Sequence, residues 1–436
     1  MTQVAGTAPA APASTEDGRP SLRQLVASME VDLRLLGLVA ALVAIVVIFG
    51  VLTGGQFLEP VNIVALSVQT ASIAIIATGM VLVIVSRNID LSVGSIVGVV
   101  SMVYALLMTD ILPKILGFDN PFLWVIALVL GLVVGAVLGG FQGFIIAYIG
   151  VPSFIVTLGG LLAFRGIVWQ LSQGASISGL DPVFQLLGGG PEGSLGATLS
   201  WLVGALICLA IIGYLVYARR QRRKFGFGQR PMWAEIVIGL VGCAVVLGLI
   251  AYANAYLWPE GLARKWAQDH GVPVPEGGIP AGIPFPIVIL MVVTMVMTFI
   301  ATRRRFGRYV YAYGGNPDAA ELAGINTRLT IMKTFTLMGV LCGIAGAISA
   351  ARLNGSTLDV GSGYELDVIA AAVVGGTSFA GGIGTIPGAV LGALVMQALR
   401  YGLAFIGLSS PQQNIFAGAV LVIAVGLDTY NRRRAR

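Results

Sequence analysis

The chain has 436 residues, 57% of them hydrophobic and only 11% charged, and its mean hydropathy is +0.91. Soluble domains carry about 25% charged residues, so these values exclude a soluble globular protein and call for a polytopic membrane protein. The net charge of +6 is no nucleic-acid signature, because the arginines and lysines gather where apolar runs end.

Taken in order, the chain opens on a tail rich in Ala, Pro, Ser and Thr, a composition that does not fold. Residues 1–34 are expected to be a disordered cytoplasmic tail and residues 35–436 a transmembrane domain. The tail is not a signal peptide, since the first apolar run begins too deep in the chain, near Leu35. A crossing takes about 20 apolar residues. Twelve stretches are candidates: Leu35–Leu52, Val61–Val85, Ser92–Met108, Phe122–Ile149, Ser153–Leu171, Thr198–Tyr217, Ala234–Leu257, Phe285–Ala301, Ile331–Arg352, Tyr364–Ser378, Thr385–Phe405 and Gln412–Leu427. Several are short or broken by glycine. The expected fold is therefore all-α, with 10–12 transmembrane helices including broken or re-entrant segments. The 59 glycines suit close helix packing in lipid. Cys208, Cys243 and Cys342 lie in apolar runs without metal or redox spacing and read as small packing residues.

Basic loops stay in the cytoplasm. If every stretch crosses, the clusters Arg219–Lys224, Arg303–Arg308 and Arg432–Arg436 share one side with Arg19, Arg23 and Arg34, leaving Lys114, Arg264 and Lys265 opposite. Both termini and the loop 302–330 are thus expected to be cytoplasmic. Residues 258–284, rich in Pro and Gly, are expected to form an irregular external loop, with the sole histidine, His270, solvated in it. A weak internal repeat relates Ala71–Ser86, the turn Arg87–Asp90 and Ser92–Met108 to Tyr364–Val374, the turn Gly375–Gly382 and Thr385–Phe405. Both turns face the cytoplasm in this topology, so the repeat would be parallel.

Polar side chains in such spans usually face the protein interior or water, because a charge at the bilayer centre costs about 2.5–3.5 kcal/mol. Gln69, Asn88, Asp90, Ser92, Gln142, Arg165, Asp367 and Thr377 are therefore candidates for a translocation path. Structural pairing for Arg165 and helix capping for Asp90 are the alternatives. The chain has no GxxxxGK[ST] phosphate loop and no plausible zinc or nucleophile–histidine–acid set. No cofactor and no catalytic residue is expected.

One polar stretch between spans still reads as folded. In Arg303–Lys333, Gly314-Gly315 breaks the chain, Asn316 can cap a helix and Pro317 suits its first position. Asp318 favours the same end, Ala319–Ala323 propagate the helix, and Gly324 stops it. Two turns are too few to stand alone in water. A short capped helix of this kind needs a partner, either the rest of the chain, as an ordinary loop, or a soluble protein.

Three stretches together resemble the permease subunits of bacterial ABC importers for monosaccharides, the ribose/xylose/galactose group. They are Ser86–Ser95, similar to that group's GGIDLSVGS signature with Ser-Arg-Asn replacing part of it; Gly307–Asn326; and Val374–Thr385. The resemblance runs from about residue 35 onward, and the expanded Arg219–Pro284 region is similar to the xylose-type members in particular. It implies a homodimer in the inner membrane, cytoplasmic ATPase subunits that bind the ATP, a periplasmic sugar-binding protein, and sugar passing along the dimer interface. It also implies ATPase coupling through Gly314, Asn316, Pro317, Ala320, Glu321, Gly324 and Ile325. An ion-coupled secondary transporter and a branched-chain amino acid ABC permease are the alternatives. The first is disfavoured because Asp90, Glu365 and Asp367 all lie at segment ends.

Overall fold

The computed structural model describes residues 33–117, 120–228 and 230–435; all but the last two residues of the tail expected to be disordered lie outside that set. The helices are α1 (Leu33–Leu52), α2 (Pro60–Val85), α3 (Val93–Leu116), α4 (Leu123–Ile149), α5 (Ser153–Ser172) and the short α6 (Pro182–Gln185). Next come α7 (Gly196–Lys224), α8 (Met232–Asn254), α9 (Glu260–His270), α10 (Phe285–Arg303), α11 (Arg305–Gly315) and α12 (Pro317–Leu322). The chain closes with α13 (Thr327–Leu353), α14 (Tyr364–Val374), α15 (Ile386–Phe405) and α16 (Ser410–Ala435). Among the described residues, ten helices are long and apolar enough to cross a membrane: α1–α5, α7, α8, α10, α13 and α15.

The stretch Tyr364–Ser378, expected to cross, is a half-helix instead. Its 11 residues reach only about 16 Å at 1.5 Å each, and Gly376, at φ +95°, turns the chain away. The only strands among the described residues, β1 (Ile177–Ser178) and β2 (Gly355–Ser356), pair antiparallel beside the entry to this half-helix. Asn354 ends α13 in the left-handed region, and its Oδ1 accepts the Leu180 N–H at 2.9 Å.

Helix α2 is the axis of the bundle: 94% of its most apolar window is buried, against 11% for α7 and for α8. Close packing around it rests on absent side chains. A Cβ at Gly135 would strike the Gly339 carbonyl, and one at Gly139 the Phe335 carbonyl, so α4 and α13 meet backbone to backbone. Small residues in both helices are what permits this approach where no hydrophobic force drives helices together in lipid.

The ends sort onto two faces. The start of α7, the end of α8 and the start of α10 are tied together by Leu195 N–H to the Ile283 carbonyl (2.9 Å) and Ala281 N–H to the Tyr256 carbonyl (2.9 Å). The arginine-rich ends of α7 and α10 consequently lie at the opposite face. That basic face also carries the end of α2 and the Gly381-Gly382 turn, joined by the Gly382 N–H to the Val85 carbonyl at 3.0 Å. The two turns of the internal repeat thus meet on one face, as the parallel reading requires.

The segment 258–284 is less irregular than its prolines imply. It holds α9, which starts after Pro259 with Glu260 in its first turn and stops at Gly271 (φ +64°). The prolines bracket this helix and none falls within it, which is why proline content misjudged the whole segment. His270 is exposed and stacks on Trp266, ring centroids 4.4 Å apart.

Candidate functional site

The coupling stretch folds as its local chemistry dictates. Asn316 caps α12 by accepting the Ala319 N–H on Oδ1 at 3.0 Å, Pro317 fills the first helical position, and Gly324 reverses the chain at φ +78°. The Gly324 N–H closes the end on the Glu321 carbonyl at 2.9 Å, and the Ile325 N–H bonds the Ala320 carbonyl at 3.1 Å. Ala320 is buried and Ile325 half-buried, so these two hold α12 to its own chain, while Glu321 and Gly324 are exposed. The largest free side chain on this helix is Leu322, 90% exposed to solvent. Singly exposed leucines are common on protein surfaces, so Leu322 is a bare contact point and no more. It was not among the coupling candidates.

Behind α12, the loop is bolted to the bundle. Arg87, itself at φ +61°, donates from Nε to the Gly314 carbonyl (2.8 Å) and from Nη2 to the Gly315 carbonyl (2.9 Å). A Cβ on Gly314 would collide with the Val85 carbonyl. Three segments therefore converge: the end of α2, the turn before α12, and the Gly381-Gly382 turn. The turn before α12 is thereby held to the end of the axial helix and against the turn between α14 and α15. Thr377 lies just inside this junction, buried, with its Oγ1 unpartnered and its methyl beside the position a Gly384 Cβ would take.

The polar residues expected to line one path separate into groups. Asn88, Asp90, Ser92 and Gln142 are buried in the turn before α3 and against it. Asn88 donates to the Ser86 carbonyl at 2.8 Å, and Ser92 Oγ lies 2.6 Å from Asp90 Oδ1 and 2.9 Å from Gln142 Oε1. The Ser92 N–H, at the start of α3, donates to Asp90 Oδ1 at 2.9 Å, while Asp90 Oδ2 and Gln142 Nε2 are buried with no partner among the described residues. Burial pushes the Asp90 carboxyl up to about 6, with its bonds from the Ser92 hydroxyl and N–H opposing. Arg165 is committed too: its Nη1 donates to the carbonyls of Leu358 (3.1 Å) and Val360 (2.9 Å), clamping α5 to the segment before α14. Arg165 thus makes structural bonds, whereas Asp90 holds the turn before α3, whose N-cap position is Ser92, without capping the helix itself.

Gln69 and Asp367 alone open onto a cavity, of about 270 Å³, together with Arg352, Gln397, Arg400 and Tyr401. It lies toward the face opposite the basic clusters, where Tyr401 Oη reaches Asn62 Oδ1 at 3.3 Å. Arg400 Nε donates to Asp367 Oδ1 at 2.6 Å and its Nη1 to Asn414 Oδ1 at 3.0 Å. The charges neutralise each other across α14 and α15. The cavity that remains offers amides, a phenol, a satisfied ion pair and the Arg352 guanidinium, and its size is near the lower end of small-ligand sites, about 300–1,000 Å³.

Over residues 62–425 the chain matches the family described as "Branched-chain amino acid transport system / permease component". The chain belongs to this permease family. It is 36% identical over 404 residues to the xylose transport system permease protein XylH of Escherichia coli K12, covering 93% of this chain and 94% of that one. It is also 35% identical to XylH of Haemophilus influenzae, over 93% and 98% of the two chains, and 29% identical to the ribose import permease protein RbsC of Escherichia coli K12, over 89% and 92%. No solved structure matches the chain. The permease is accordingly a transport component and a multi-pass inner-membrane protein.

Proposed function

We propose that the permease is the membrane subunit of an ATP-driven monosaccharide importer, with xylose or a closely related sugar as solute. The observation that carries the reading is the pairing of a bolted coupling helix on the basic face with a polar cavity toward the other face, lined by amides, a phenol, an ion pair and the Arg352 guanidinium. In this reading the basic face and both termini are cytoplasmic. ATPase subunits holding the nucleotide grip α12 through Leu322 and Glu321. A periplasmic binding protein delivers sugar to the opposite face, and two copies of the permease enclose the path.

The family's description raises a branched-chain amino acid as a second solute. Such a ligand needs separate charges for its ammonium and carboxylate and an apolar pocket for its side chain. Here Asp367 is held by Arg400 and no second carboxylate among the described residues lines the cavity to meet an ammonium, while Gln69, Gln397, Tyr401 and Arg352 suit hydroxyl groups, which donate and accept. The test is reconstitution in proteoliposomes with the ATPase and binding protein. ATP-dependent uptake of radiolabelled xylose, requiring both partners, is expected. Uptake driven by a proton or sodium gradient without ATP, or uptake of leucine but no pentose, would overturn the reading.

A further inference from the structure

The α7–α8 hairpin stands apart from the bundle: only 11% of the most apolar window of either helix is buried. It is fastened at the face opposite the basic clusters, where the Ile283 N–H donates to Ser200 Oγ at 2.9 Å and a Cβ at Gly204 would strike Ile250. At the basic face its two helices are joined to each other through Arg219 Nη1 donating to Glu235 Oε2 at 2.6 Å. Below that ion pair runs a groove of about 530 Å³ walled by Leu215, Val216, Ile236, Leu240 and Cys243, with Gly239 as its floor. Arg219, Arg220 and Glu235 form its mouth.

The geometry points to a binding site for one anionic phospholipid, acyl chain in the groove and phosphate at the mouth. Glu235 to Cys243 spans eight helical residues, so the apolar walls extend about 12 Å, within one leaflet of a core about 30 Å thick. The walls carry no polar group that a peptide or sugar would use. At the mouth Glu235 neutralises Arg219, while Arg220 has no carboxylate partner among the described residues. Arg223 and Lys224 follow one turn further along α7. The uncompensated charge is therefore positive, placed at headgroup depth directly above an apolar slot. That order of chemistry along one groove selects a molecule with a negative head and a hydrocarbon tail.

The measurement is native mass spectrometry of the purified full-length permease in nanodiscs of mixed phosphatidylglycerol and phosphatidylcholine. Wild type is expected to retain one phosphatidylglycerol. Arg220→Gln should weaken retention about fivefold, since each basic residue near a membrane surface contributes about 1 kcal/mol. Gly239→Phe should abolish retention by filling the floor, where a Cβ already lies 3.2 Å from Leu215 Cδ1. Equal retention by wild type and both variants overturns the site, as does equal retention of phosphatidylcholine. A photo-crosslinker at position 240 that captures a second permease copy in place of lipid overturns it too.

Discussion

Arg87 is the residue through which the coupling loop and the axial helix are joined. Its two donor bonds end on the Gly314 and Gly315 carbonyls, and Gly382 adds a third link to Val85. Arg87→Ala is expected to insert normally, leave ATP hydrolysis by the assembled complex within about threefold of wild type, and cut sugar uptake at least tenfold; paired hydrolysis and uptake assays read this split. Arg400 is a different case. Its removal leaves the buried Asp367 carboxylate unpaired, a change that typically costs about 3–5 kcal/mol. Arg400→Gln should lower the melting temperature in detergent, and the double variant with Asp367→Asn should recover most of the loss. Asp90 adds a pH signature. Its folded pKa of about 6 exceeds its ordinary value of 3.8, so the folded chain binds more protons than the unfolded chain between those values. Stability therefore falls as pH rises through that window, by up to about 3 kcal/mol. Wild type should lose stability relative to Asp90→Asn between pH 4 and pH 6.5, read as the difference in unfolding midpoint.

At the scale of elements, α12 and α14 show what a sequence reveals and what it hides. The cap, the first-turn proline and the terminal glycine of α12 were all readable, because each acts on backbone within a few residues. Its bolt was not: Arg87 and Gly314 are 227 positions apart, and an arginine beside a span reads as a flanking charge. Leu322 was passed over for the same reason, since its exposure depends on Ala320 facing inward. The half-helix α14 reads as a candidate crossing because hydropathy averages over the Gly375-Gly376 stop, and it is one of the broken segments the expected range of 10–12 spans allows for. The polar path was half legible. Gln69 and Asp367 do share a cavity, while Asn88, Ser92 and Arg165 bond neighbours or nearby carbonyls and Asp90 Oδ2 and Gln142 Nε2 stay buried without a partner among the described residues; polarity alone does not distinguish these fates. If α12 is the element an ATPase grips, Leu322→Asp should lower co-purification of the ATPase at least tenfold while leaving the melting temperature unchanged, because an exposed side chain contributes little to folding. Gly324→Pro should act otherwise, destabilising the loop itself, since proline cannot adopt φ +78°.

For the molecule as a whole, everything proposed depends on which face is cytoplasmic. The contacts place the α12 junction and the arginine-rich ends of α7 and α10 on one face, and α9 with Tyr256 and Ala281 on the other. The charge asymmetry then has one favoured solution, because arginines translocate poorly. A cavity that opens away from the basic face suits a solute arriving from outside, and a coupling helix on the basic face suits an energy source confined to the cytoplasm. Reversing the molecule would put Leu322 where no nucleotide is available and would aim the cavity at the cell's own sugar. Single cysteines settle this, introduced after Cys208, Cys243 and Cys342 are replaced by alanine. A cysteine at Leu322 should react with a membrane-impermeant maleimide only in inverted vesicles, and one at Glu276 only in intact cells or spheroplasts. The opposite pattern would remove the ATPase from α12 and the binding protein from the cavity in a single measurement.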